Sequence, residues 1–103
     1  MKFGELIVAG RRQANLSQKG LADRIHKADG APISGAYLHD IEQDRRNPPR
    51  DELIEQFAVA LHLPREVLYF AAGRIPPELC DAVSDADTIV NAFAAFSRIL
   101  HGE

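Results

Sequence analysis

The stretch Ile33 to Pro49, ISGAYLHDIEQDRRNPP, gathers side chains suited to recognition rather than reaction. Its front is small (Ser34, Gly35, Ala36). Its middle carries a phenol, an imidazole and a carboxylate (Tyr37, His39, Asp40). Its rear carries two guanidiniums and an amide (Arg45, Arg46, Asn47). Leu38 and Ile41 lie three apart, on one face of a helix, which leaves the polar groups on another. Guanidiniums stay charged and match phosphate and carboxylate, and small residues let a helix come close to what it faces. Such a helix either reads a ligand or is only packed, and the residues around it must decide.

Catalysis has little to stand on. His26, His39, His62 and His101 show no metal-ligand spacing, and Cys80 has no cysteine partner. No carboxylate pair is marked out as an acid/base couple, and there is no glycine-rich phosphate loop. The sequence implies no cofactor and no enzyme.

The elements that would position the recognition stretch are helices, because no strand-like alternation persists. Phe3, Leu6, Ile7, Gly10 and Ala14 mark a first stripe, and Asn15 tolerates the left-handed backbone at a helix end. Ser17 caps a second helix carrying Leu21, Ala22 and Ile25, which should end near Lys27 before the turn Ala28 to Pro32. Ser34 caps the third. Gln43 to Pro49 is a loop, and a fourth helix turns Leu53, Ile54, Phe57, Ala58 and Leu61 inward. Pro64 opens a short fifth helix through Ala72, and Gly73 stops it.

Such short helices bury their stripes only against one another, so the class is all-α. Residues 1–73 form one domain and residues 74–103 a C-terminal helical extension. Its last helix, capped from Ser84 to Asp87, carries Ala86, Ile89, Phe93, Phe96 and Leu100 at steps of 3, 4, 3 and 4, a seam that pairs helices. That seam should be buried, against residues 3–73 or against a second copy.

The charge of −3 argues against a polyanion as partner, but its distribution does not. Residues 1–50 hold nine Lys/Arg against six Asp/Glu, and residues 51–103 hold three against nine. A basic front can meet a polyanion locally, although ordinary surface charge explains the split equally well. Apolar runs fall far short of the roughly 20 residues that span a bilayer. With no visible secretory signal and one cysteine, a cytoplasmic location is expected.

The segments LSQKGLADRI, ISGAYLHDIEQDRRNPP and LIEQFAVALHLPREVLYFAAG follow one another in order. Over residues 3–73 they resemble the lambda-repressor/Cro-like (Xre family) helix-turn-helix regulators. The resemblance implies a five-helix DNA-binding domain. It implies phosphate contacts from Gln18, Ser34, Tyr37, Arg45, Arg46 and Asn47, and base contacts from Gly35, Ala36, His39 and Asp40. It also implies an ion pair between Arg11 and Glu42 that orients the recognition helix. Four of these roles have an alternative in the residues themselves. Gln18 could be merely solvated, Tyr37 could be core, Arg11 could touch phosphate, and Asp40 could have an internal partner.

Two features depart from the family pattern. HKADGAP lengthens the turn between helices two and three; His26 and Lys27 either reach phosphate from it or sit in a solvated loop. Gly35 and Ala36 stand where long polar readers are common, which leaves His39 as the best direct reader and gives DNA shape a part in specificity. The expected function is a sequence-specific transcriptional regulator, a repressor, binding double-stranded DNA with a palindromic operator as a homodimer. The expected interface is Ile89, Phe93, Phe96 and Leu100. The alternative is an antitoxin-like or protease-controlled module whose last helix binds a partner protein.

Overall fold

The computed structural model describes residues 1–102; Glu103, at the end of the expected extension, lies outside the described residues. The helices are α1 (Phe3–Gln13), α2 (Gln18–Ala22), α3 (Gly35–Glu42), α4 (Asp51–Leu61), α5 (Arg65–Ala71), α6 (Pro77–Asp81) and α7 (Ala86–Leu100). The all-α class is observed, with no strand among the described residues. α1 packs on α3, α4 and α5, α2 on α3, and α4 on α5.

Local chemistry starts several of these helices. The Ser17 hydroxyl accepts from the Gly20 N–H at 2.9 Å, that of Ser34 from Tyr37 at 3.0 Å, and the Asp85 carboxylate from Thr88 at 2.7 Å. Each satisfies a donor that a helix start leaves without a partner. α1 has no such cap of its own, since Lys2 precedes it. Its Gly4 N–H instead donates to Asp44, forty residues on, at 2.9 Å. Glycine is needed at position 4, because a Cβ there would lie 2.6 Å from the carbonyl oxygens of both Ile41 and Glu42.

One core unites α1 to α5. Ile7, Leu21, Ile25, Leu38, Ile54, Phe57, Leu68 and Tyr69 are fully buried, and Phe3 meets Phe57 edge-on at 6.4 Å between centroids. The stripe read for α4 is the buried one, Leu53, Ile54, Phe57, Ala58 and Leu61. That of α1 is shorter than expected: the helix stops at Gln13, Asn15 turns left-handed (φ 57°), and Ala14 is exposed.

The second helix also ends early, at Ala22 rather than near Lys27. Beyond it Ile25 turns into the core and accepts from the Ile33 N–H, and Lys27 donates to Ala31 at 2.8 Å. His26 and Pro32 form an antiparallel bridge, closed by Gly30 at φ 89°. Gln56 of α4 brackets His26 on both main-chain sides, at 2.7 and 2.9 Å. The long turn is therefore a pinned hairpin-like loop.

The extension joins through charge. Arg65 of α5 forms a fork with Glu55 of α4, at 2.6–3.0 Å, and pairs with Glu78 of α6. The Tyr69 hydroxyl donates to Glu55 at 2.6 Å. Hydrogen bonds from Arg65, then from Tyr69, hold Glu55 below its ordinary carboxylate pKa, and Arg65 does the same for Glu78. Burial, then the bond to Glu55, pushes the Tyr69 phenol up to about 12. α7 has no buried residue, and its seam is not covered by the chain's own core: Phe93 is 51% and Phe96 43% exposed. Phe96 does meet Phe70 of α5 edge-on, at 6.0 Å between centroids.

Candidate nucleic-acid interface

The two faces of α3 differ in chemistry. Leu38, Ile41 and Glu42 point inward, while Ser34, Gly35, Ala36 and His39 are exposed. Gly35 faces open space: a Cβ there would meet nothing within 4 Å. No internal packing requires position 35 to be small.

A buried polar chain sets the orientation of α3. Arg11 of α1 forms a fork with Glu42, Nε to Oε2 at 2.7 Å and Nη2 to Oε1 at 3.1 Å, and its Nη1 donates to the Leu16 carbonyl at 3.0 Å. The Glu42 side chain is only 1% exposed. Gln18 of α2 donates from Nε2 to Glu42 at 2.8 Å, and the same nitrogen lies 3.3 Å from Nδ1 of His39. An amide nitrogen carries hydrogens and no available lone pair, so Nδ1 is the acceptor and Nε2 carries the proton of the neutral ring. His39 thus offers an outward N–H donor. Gln18 is half-buried and joins two elements internally, so its amide hydrogens are already engaged.

Behind α3 the guanidiniums gather. Arg46 reaches Asp40 at 3.4 Å and lies over the Tyr37 ring, 5.2 Å from its centroid, while Arg45 lies 3.9 Å from the other Asp40 oxygen. Asp40 therefore has internal partners, and Tyr37 is half-buried beneath Arg46. Both arginine side chains are more than half exposed, so these pairs are worth about 0–1 kcal/mol and yield readily to another anion. Asn47 is exposed on the same loop, and Arg50 joins Arg45 and Arg46 in lining one open groove beside Tyr37.

Sequence reasoning passed over Arg50, and also Asp44, which has a left-handed backbone (φ 55°) and caps α1. The signal for Asp44 was indirect: a helix that begins at Phe3, behind Lys2, lacks a side-chain cap and must find one elsewhere. His26 and Lys27 lie on the pinned loop, away from the α3 cluster in sequence, and His26 is held through its main chain by Gln56. Ile89, Phe93, Phe96 and Leu100 are exposed along α7. Among the described residues no cluster of His, Cys, Asp and Glu could hold a metal ion, and no helix is long and apolar enough to cross a membrane.

Two similar proteins, both named as uncharacterized HTH-type transcriptional regulators and both from Mycobacterium tuberculosis, are 35% identical to this chain over 83 residues. The match covers 81% of this chain and 54% of each relative, so the chain spans about half the length of the curated relatives it matches. No solved structure matches. The profile of a family described as helix-turn-helix domain matches residues 2–68, which takes in α1 to α4 and most of α5, so the chain belongs to the helix-turn-helix domain family.

Proposed function

We propose that this chain is a sequence-specific DNA-binding transcriptional regulator of the lambda-repressor/Cro-like kind, acting as a repressor and binding a palindromic operator as a homodimer. The observation that carries the reading is an exposed α3, locked from behind by Arg11, Glu42 and Gln18, with Arg45 and Arg46 at its rear. In this reading α3 lies in the major groove, with Gly35, Ala36 and His39 toward base edges. Asp40 organises the arginines and reads a base only if they swing to phosphate. Ser34, Tyr37, Arg45, Arg46 and Asn47 meet the backbone, and Gln18 joins them from the flank of α2 only by turning its second amide hydrogen from His39 to a phosphate. The relatives' names support the regulatory role; the repressor sign rests on the resemblance alone.

One eight-residue helix reads few base pairs, and two copies on a two-fold double the contacts at a spacing of about 34 Å. The α7 seam is the proposed interface. Its exposure equally favours a second reading, in which α7 binds a different protein such as a toxin or a regulatory protease; a chain that sediments as a monomer with the seam intact would favour that one.

Selection of bound duplexes from a random pool tests the main reading, with His39→Ala run beside the parent chain. A palindromic motif is expected, and His39→Ala should lose about 1–3 kcal/mol of discrimination at one position per half-site. A pool that returns no motif refutes sequence-specific binding. Identical motifs remove His39 from base readout.

A further inference from the structure

The loop that carries Arg45, Arg46 and Asn47 has no helix or strand to hold it. Its front is anchored by Asp44 on the Gly4 N–H. At its rear stand Pro48 and Pro49, which have no N–H and can be held only through their carbonyls and rings. Both carbonyls accept from one side chain, Arg74: Nη2 donates to Pro48 at 2.9 Å, and Nη1 to Pro49 and, at 3.3 Å, to Asp51. Arg74 is itself placed with care. Gly73 is left-handed (φ 71°), its N–H donates to Phe70, and the Arg74 N–H donates to Tyr69 at 2.9 Å. This paired closure ends α5 and aims the next residue back across the domain. Arg74 is also the first residue of the extension, two residues before the buried Pro76.

We infer that Arg74 is a positioning residue for the phosphate grip: it fixes the rear of the arginine loop from the root of the extension, so that the segment bearing α7 and the segment bearing Arg45 to Asn47 share one anchor. The inference rests on the DNA-binding reading. A guanidinium suits the task because its rigid fork can serve two carbonyls at once, whereas a lysine offers a single point. A loop held at both ends presents its side chains to several phosphates at once, and releasing one end leaves about one of those contacts unmade.

The test uses the full chain with Arg74→Ala and Arg74→Lys, titrated against a random duplex over a range of salt. Arg74→Ala should keep its helical circular dichroism, bind about tenfold more weakly, and show a log–log salt slope shallower by about one contact. The motif selected from a random pool should stay the same, and Arg74→Lys should fall between. If Arg74→Ala unfolds, Arg74→Lys carries the same measurement. Unchanged affinity and slope overturn the inference, as does weaker binding with an unchanged slope, which reports only a smaller folded fraction. If the parent chain binds no DNA at low salt, the DNA reading fails separately. Backbone order parameters at Arg45 to Asn47 then decide whether Arg74 holds the loop: lower values in Arg74→Lys support it, and identical values sink it.

Discussion

Glu42 is the buried charged side chain among the described residues, and three elements depend on it. Arg11 and Gln18 both donate to it, so removing its charge leaves a largely buried guanidinium without a counterion. Glu42→Ala should cost about 3–5 kcal/mol in urea unfolding; a loss below 1 kcal/mol would mean that Arg11 finds water instead. The arginines behind α3 answer to a different measurement. Arg45→Ala with Arg46→Ala should weaken binding to operator and random DNA alike, lowering the salt slope by about 0.9 per lost contact, with little change in stability because both side chains are exposed. An unchanged slope takes them out of the interface. At this scale the sequence marked candidate residues and was silent about how they are bonded. Gln18 reads equally well as a phosphate ligand or as a solvated first-turn residue, and only the placement of Glu42 and His39 around it shows its amide engaged by both.

Elements were legible where their limits are set within a few residues. Ser17, Ser34 and Asp85 each cap a helix through the N–H three residues ahead, so the start is written locally. The end of α2 was not, because Ile25 is drawn into the core and His26 is held by Gln56, thirty residues distant. Partners 10 and 13 residues apart hid the way α6 is attached. Arg65 clasps Glu55 and Glu78, and both carboxyls sit below their ordinary value of 4.5. Their contribution is therefore fully present above that value and disappears as pH falls through the lower, folded-state value. The thermal midpoint of the parent chain should drop as pH falls below about 4.5. Glu55→Gln, which cannot titrate there, should begin lower and show a flatter pH dependence. Equal slopes would assign the acid sensitivity to other groups.

The whole molecule is longer than its helix count suggests. Its radius of gyration is 15.5 Å, against about 13 Å for a compact chain of 100 residues. The extra length goes with α7, whose residues are all left unburied. The sequence showed the seam of Ile89, Phe93, Phe96 and Leu100 but not its occupant, since burial by another copy and burial by the same core demand the same pattern. The core of this chain does not cover it, so truncating the seam should spare the monomer. Phe93→Ala with Phe96→Ala is expected to give a folded monomer with a thermal midpoint close to that of the isolated parent, and with weak operator binding. Sedimentation and circular dichroism check this. A double mutant that stays dimeric excludes α7 as the interface.

Gly35 is the solvent-facing first residue of α3, with nothing near the place its side chain would occupy. Replacing it by alanine should favour the fold by up to about 1 kcal/mol, because glycine loses more backbone freedom on folding. Any side chain can therefore be installed there without first being tolerated by the core. If α3 reads DNA, a descendant of this chain can acquire a new operator at Gly35 by single neutral steps, and divergence in binding preference need not wait for compensating changes in stability.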